Sequence, residues 1–192
     1  MARRAQIAQC AVEAIAEVGY ADASLAEIAR RAGVAKSVIS YHFADKAGLM
    51  REVLRSGLAT YATFMAARMA GAVTAADRLR DYLLGTAAYI VEHRDLHAAF
   101  LEIAYNATAA DGRPLLATMP LRAPEPSVEE ILRAGQRAGE FRDFDVAVVG
   151  DVIRSAATHA MVLRQRARPG TDLAAYADEM VRLFDLGIGR LA

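Results

Sequence analysis

The stretch from Ser24 to Lys46 constrains this 192-residue chain more than any other, because it reads as two short helices joined by a glycine turn. Ser24 and Glu27 have the Ser-x-x-Glu spacing of a capping box, so a helix is expected to begin at Leu25. Leu25, Ile28 and Ala29 form one apolar stripe, with Glu27, Arg30 and Arg31 outside it. Gly33 follows where the pattern ends, at the place where a residue without a β-carbon can turn left-handed and close a helix. The pattern resumes from Lys36 to Phe43. Ile39 and Phe43 lie on one face there, and Ser37, Ser40 and Tyr41 lie on the other.

A short helix, a tight turn and a second helix with a small, polar and aromatic face is the arrangement that presents a helix to the DNA major groove. Lys36 stands where it can reach a phosphate or a guanine edge, and Ser37 and Ser40 permit close approach to bases. Tyr41, His42 and Lys46 can donate to phosphates. The candidate DNA-contacting set is therefore Ser24, Lys36, Ser37, Val38, Ser40, Tyr41, His42 and Lys46. A helical hairpin with a merely solvated polar face satisfies the same spacing.

The run from Gly33 to Leu49 closely resembles the amino-terminal signature of TetR-family transcriptional regulators. Gly33, Val34, Ile39, Tyr41, His42, Phe43, Lys46 and Leu49 carry the resemblance. Ala35 departs from it where a hydroxyl residue usually caps the recognition helix, and Ser40 departs where the first aromatic usually lies. The segment Ala134 to Arg142 also resembles one that precedes the last two helices in that family. The resemblance implies a double-stranded DNA operator, a small-molecule inducer bound in the carboxyl-terminal domain, and a dimer formed by the last two helices of two subunits.

Lys plus Arg and Asp plus Glu both number 23, so whole-chain charge does not argue for nucleic acid. The distribution does so weakly: through residue 56 there are eight basic residues against six acidic. Cys10 is the single cysteine and lies in an apolar helical pattern, so a buried small hydrophobe is expected rather than a redox sensor. Gln6, Gln9, Glu13 and Glu17 interrupt any signal-peptide core, and no apolar run is expected to be long enough to span a membrane. A cytoplasmic protein with no membrane partner is expected.

Helical periodicity covers the remainder, so the fold is expected to be all-α, with a three-helix DNA-binding domain over residues 1–46 and a larger ligand-binding and dimerisation domain over 47–192. The first helix covers residues 3–18, with Gly19 as its stop, and Asp45 can cap a long helix running to Met69. Further helices are expected from beyond Gly71 to His93 and from Asp95 to Ala107. Thr108 to Ser127 holds Gly112, Pro114, Pro120, Pro124 and Pro126 and is expected to be a loop with a turn of helix at its centre. Ser127 and Glu130 form a second capping-box spacing, opening a helix that ends near Gly139. Two long apolar helices follow, about Asp145 to Arg166 and Asp172 to Gly187, separated by Pro169-Gly170.

For the inducer, Tyr61, Phe64, Met65, Met69, Tyr89, His93, Phe100, Tyr105 and Asn106 are candidates to line a cavity, with simple core packing as the other reading. For the dimer, Val148, Val152, Ser155, Ala156 and His159 on one helix and Tyr176, Met180 and Phe184 on the other are the candidates, against an ordinary buried pair within a monomer. A different class of function is a helical metal-dependent enzyme using His93 and His97, with Glu102 as a third ligand. The motifs of common hydrolases and phosphate-binding loops are missing, and no cofactor or metal is expected.

Overall fold

Ser24 opens the second helix of the structure, a computed structural model that describes residues 2–120, 126–168 and 170–189. The Pro124 and Pro169 expectations lie outside those residues. Ten α-helices are described: α1 (Ala2–Asp22), α2 (Leu25–Arg31), α3 (Lys36–His42), α4 (Lys46–Met69), α5 (Ala75–Glu92), α6 (Arg94–Asn106), α7 (Val128–Ala138), α8 (Val146–Ser155), α9 (Met161–Ala167) and α10 (Leu173–Ile188). A 3-10 turn at Leu116–Thr118 breaks the long loop, and a π turn at Ala156–Ala160 joins α8 to α9. The fold is all-α, and the described residues hold only two isolated β-bridges, Thr108 with Pro114 and Phe141 with Gly189.

Contacts divide the chain into two compact units, Met1–Thr60 with His93–Arg122, and Tyr61–Glu92 with Ala123–Ala192. The boundary expected after residue 46 thus falls inside the first unit. The reason is packing: Leu49, Met50, Val53 and Leu54 at the start of α4 are fully buried with Ile7, Ile15, Ile28 and Ile39. Ala99 and Ile103 of α6 belong to the same core, so the three-helix domain is closed by a later helix laid against α1. Cys10 packs at the edge of this core, and burial raises its thiol pKa, which keeps it protonated. In α1 the backbone leaves the helix at Gly19, with φ +81°, as its predicted stop requires.

In the second unit, the segment Ala134 to Arg142 is explained by close approach and capping. A Cβ on Gly135 would lie 2.2 Å from the Phe141 ring, so only glycine leaves room for that ring. Gly139 takes φ +73° and closes α7. The Glu140 carboxylate then accepts from the free N–H groups of Ala75 and Ala76, at 3.3 and 2.9 Å, capping α5 from a distant part of the chain. Arg142 donates from Nε to the Gly187 carbonyl at 2.8 Å and ties the segment to the end of α10.

One expectation is corrected here. The 19-residue run Val146–Arg164 is long and apolar enough, by length and composition, to cross a membrane, yet only 28% of it is buried. It carries a core face, with Ile153, Ala157 and Met161 at 0% exposure, and also an outward apolar face that includes Val148, Val152 and Leu163. Two apolar faces on one helix raise its hydropathy to the level of a span, so length and composition alone do not decide between a membrane and a covered surface.

Candidate DNA-reading face and ligand cavity

The turn between α2 and α3 forms as its residues dictate. Ser24 Oγ accepts from Glu27 N at 3.1 Å, and Gly33 takes φ +63°. The capping box is only half made, because the Glu27 carboxylate turns away from the cap. It accepts from Arg30 at 2.7 and 2.9 Å and from Arg31 at 2.6 Å. These contacts hold Glu27 down to a pKa of about 2. Arg31 also donates to Glu17 at 2.6 Å, so α1 and α2 are joined by a string of charges that spends both arginines on carboxylates.

α3 begins at Ala35 with no side-chain cap, as the missing hydroxyl implies. Its inward face is Ile39, fully buried, with Phe43 behind it. Its outward face presents Lys36, Ser37 and Ser40, all exposed, and Tyr41, which is 85% exposed. Val38 and His42 are half-buried at the margins, and Ser24 is exposed at the start of α2. The Ser40 hydroxyl folds back onto the Lys36 carbonyl at 3.3 Å, a bond it can release to a partner. An exposed tyrosine beside small hydroxyl residues, on a helix whose other face is core, can enter a groove without displacing any packing.

Lys46 is placed differently from the outward orientation expected of a phosphate contact. Its Nζ donates to the Tyr20 carbonyl and lies over the Tyr20 ring, and its half-buried position lowers its pKa. The apolar ring and an unsatisfied carbonyl at the broken end of α1 draw the ammonium inward. A second cation holds the other end of the recognition helix and was not foreseen. Arg4 donates to the His42 carbonyl at 2.6 Å, stacks 4.3 Å from the Phe43 ring centre and pairs with Glu52 at 3.2 Å. Arg4 thus links α1, α3 and α4, a role that spacing along one helix does not reveal because its partners are 38 and 48 residues away.

In the second unit a cavity of about 830 Å³ lies between Tyr61, Tyr82, the first turn of α7, and the side of α8 and the π turn. Its wall includes Pro126, Ser127, Val128, Glu129, Asp151, Arg154, Ser155, Thr158 and His159. Of the residues expected to line a ligand site, Tyr61 stands in the wall of this cavity. Met65 and Met69 are core, with Met65 held 3.0 Å from where a Cβ of Gly85 would stand. Tyr89 is buried edge-to-face against Tyr61 and Phe64, with ring centres 5.0 and 5.5 Å apart, and burial pushes its pKa up to about 12. His93, Phe100, Tyr105 and Asn106 belong to the first unit, where Tyr105 is exposed and Asn106 donates to Glu102. Methionine and aromatic stripes marked packing here, and the cavity falls where charged and hydroxyl residues of α7 and α8 meet two phenols.

The apolar stripe of α8 also divides. Val152 and Ala156 line a groove of about 460 Å³ with Tyr176, Met180, Leu183 and Phe184 of α10, and Val148 is exposed. Ser155 and His159, expected on that same face, line the cavity instead. The π turn accounts for His159: each of its hydrogen bonds skips one more residue, so side chains after Ala156 are rotated back. His93 is the N-cap of α6 and His97 is buried within it, and no group of three metal-ligating side chains occurs among the described residues.

Comparison with known proteins agrees with this geometry. Residues 7–53 match the family described as "Bacterial regulatory proteins, tetR family". The HTH-type transcriptional regulator BetI of Escherichia coli is 51% identical over 53 residues, which are 28% of this chain and 27% of that protein. The chain therefore matches little more than a quarter of the length of its curated relatives. Similarity of fold extends throughout: a bacterial regulatory protein in the tetR family from Rhodococcus superposes with a TM-score of 0.81 over 100% of both chains at 20% identity. The transcriptional regulator FadR from Bacillus subtilis, solved in complex with stearoyl-CoA, does so at 0.81 over 93% of this chain and 96% of that one, at 22% identity. These proteins are described as regulators. Residues 7–53 therefore carry the helix-turn-helix of the TetR family of bacterial regulatory proteins, on a fold that the whole chain shares with a structure of that family.

Proposed function

We propose that the protein is a cytoplasmic transcriptional regulator, a homodimer that binds a near-palindromic operator as a repressor and releases it when a small molecule occupies the cavity lined by Tyr61, Tyr82 and Arg154. The observation that carries this reading is the outward face of α3, where Lys36, Ser37, Ser40 and Tyr41 stand exposed over a fully buried Ile39. The half-buried His42 is held by its own carbonyl bond to Arg4, and Ser24 and Val38 flank the face. Tyr41 serves phosphates, and Lys36, Ser37 and Ser40 serve base edges.

The dimer reading is supported by the apolar groove of α8 and α10, which Val152 and Leu183 line, and by the further exposed apolar side chains Val148 and Leu186 on the same two helices. Two-fold symmetry would repeat the α3 face on two half-sites. The inducer reading is supported by the cavity volume, which lies in the usual range for small-molecule sites, and by the ligand complex of the FadR relative. Occupancy shifts the protein between arrangements only by as much as the ligand prefers one of them.

Selection from a random duplex library followed by titration at several salt concentrations tests the DNA-reading face. Tyr41→Ala is expected to weaken binding to all sequences alike, and Lys36→Ala, Ser37→Ala or Ser40→Ala to change the preferred sequence. Parent-like affinity and parent-like selected sites in all four variants would remove α3 as the reading helix.

A further inference from the structure

We infer that Arg4 is a positioning residue for DNA binding: from α1 it fixes the carboxyl-terminal end of α3, and with it the angle at which Ser40 and Tyr41 meet the groove. This rests on the reading of α3 as the DNA-reading helix.

α3 needs such an anchor because its own sequence holds it weakly. A helix of seven residues is too short to persist by itself, and Ala35 gives its start no side-chain cap. The last carbonyls of a helix lack partners within it, and Arg4 Nη1 donates to that of His42, the final residue of α3, at 2.6 Å. A cation at this end also meets the negative pole of the helix.

The guanidinium is itself held in place. Its carbon lies 4.3 Å from the centre of the buried Phe43 ring, and Nη2 donates to Glu52 Oε2 at 3.2 Å. Leu49, Met50 and Val53 are fully buried around that point of α4, so Glu52 stands on a fixed frame, and its second oxygen accepts from Arg55. A planar fork can touch carbonyl, ring and carboxylate together. A lysine ammonium, a single point of charge, cannot reproduce all three.

What Arg4 holds is next to what meets DNA. The His42 ring packs edge to face against the exposed Tyr41 ring, with centres 5.1 Å apart, and Ser40 lies in the same turn. A binding constellation works within about 0.5 Å and roughly 10–20° of its productive geometry. Freeing the end of α3 would carry both side chains outside that range.

Titration with the duplex recovered by selection, at several salt concentrations, compares Arg4→Ala and Arg4→Lys in the parent and in Tyr41→Ala. Arg4→Ala is expected to weaken binding about ten-fold with the salt slope of the parent. Tyr41→Ala should then cost several-fold less in this background than in the parent, because the ring no longer reaches its contact. Arg4→Lys keeps the charge and loses the fork, so it should resemble Arg4→Ala. Glu52→Gln releases the guanidinium from α4 and should show the same loss of additivity with Tyr41→Ala if the Arg4 variants do not fold. A salt slope lowered by about one, with Arg4→Lys binding like the parent, would make Arg4 a phosphate contact and overturn the inference. Parent-like affinity, or losses that add strictly with Tyr41→Ala, would leave Arg4 a support of stability alone and overturn it too. No effect of Tyr41→Ala in the parent would instead remove the reading of α3, and this inference with it.

Discussion

Lys46 Nζ donates to the Tyr20 carbonyl at 2.6 Å and stands 4.2 Å from the centre of the Tyr20 ring. One side chain thereby satisfies the broken end of α1 and fixes the first residue of α4. Lys46→Ala is expected to cost about 1.5–3 kcal/mol, the range for a hydrogen bond involving a charged group. Tyr20→Phe keeps both the carbonyl and the ring and should be close to neutral. Urea midpoints of the two variants check this, and equal midpoints would show that the Lys46 contact stabilises nothing.

Glu27 gives a pH dependence of defined sign. Its pKa is held at about 2 by Arg30 and Arg31, below its ordinary value of 4.5. A carboxylate depressed in the folded state contributes stability that is fully present above pH 4.5 and is lost as pH falls towards 2. The stability difference between the parent and Glu27→Gln should therefore be constant above that window and shrink within it. A difference that does not change from neutral pH to pH 2 would show that Glu27 is not the group responsible.

Gly135 meets the Phe141 ring too closely for any side chain. Gly135→Ala places a Cβ 2.2 Å from Phe141 Cδ2 and should cost about 1–3 kcal/mol or more, as other overpacked sites do. The cost should fall in Gly135→Ala combined with Phe141→Leu, since the residues are in contact and their effects cannot add. Thermal unfolding of the two single variants and the double variant tests it, and strict additivity would mean the clash is relieved elsewhere.

The helix-turn-helix was legible because its signals are local. Ser24, Gly33, Ile39 and Phe43 each act on neighbours within a few residues, and spacing records that directly. Arg4 and Lys46 were not legible as positioning residues, because their carbonyl and ring partners come from other helices. The cavity was sought mainly among methionines and aromatics on α4, α5 and α6, where the chain needs close packing, as Met65 against Gly85 demonstrates. The cavity found beside Tyr61 and Tyr82 instead draws on Glu129, Asp151 and Arg154, charged residues that periodicity assigns to solvent. Their meeting depends on how α7 packs on α8, a relation between helices that sequence spacing does not encode.

The outward face of α8 and α10 bears on assembly. Val148 and Val152 are 59% and 53% exposed, and Leu183 and Leu186 are 61% and 78% exposed. A monomer would leave this surface in water at a cost of roughly 25 cal/mol for each Å² that a partner could cover. Charges placed there should separate subunits and leave each fold intact, since none of the four side chains is core. Val152→Asp with Leu183→Asp is expected to sediment as a monomer with parent-like helicity and to lose tight binding to a palindromic duplex. Such a variant should keep weak binding to a single half-site through α3. If it remains a dimer at micromolar concentration, the subunits meet through another surface.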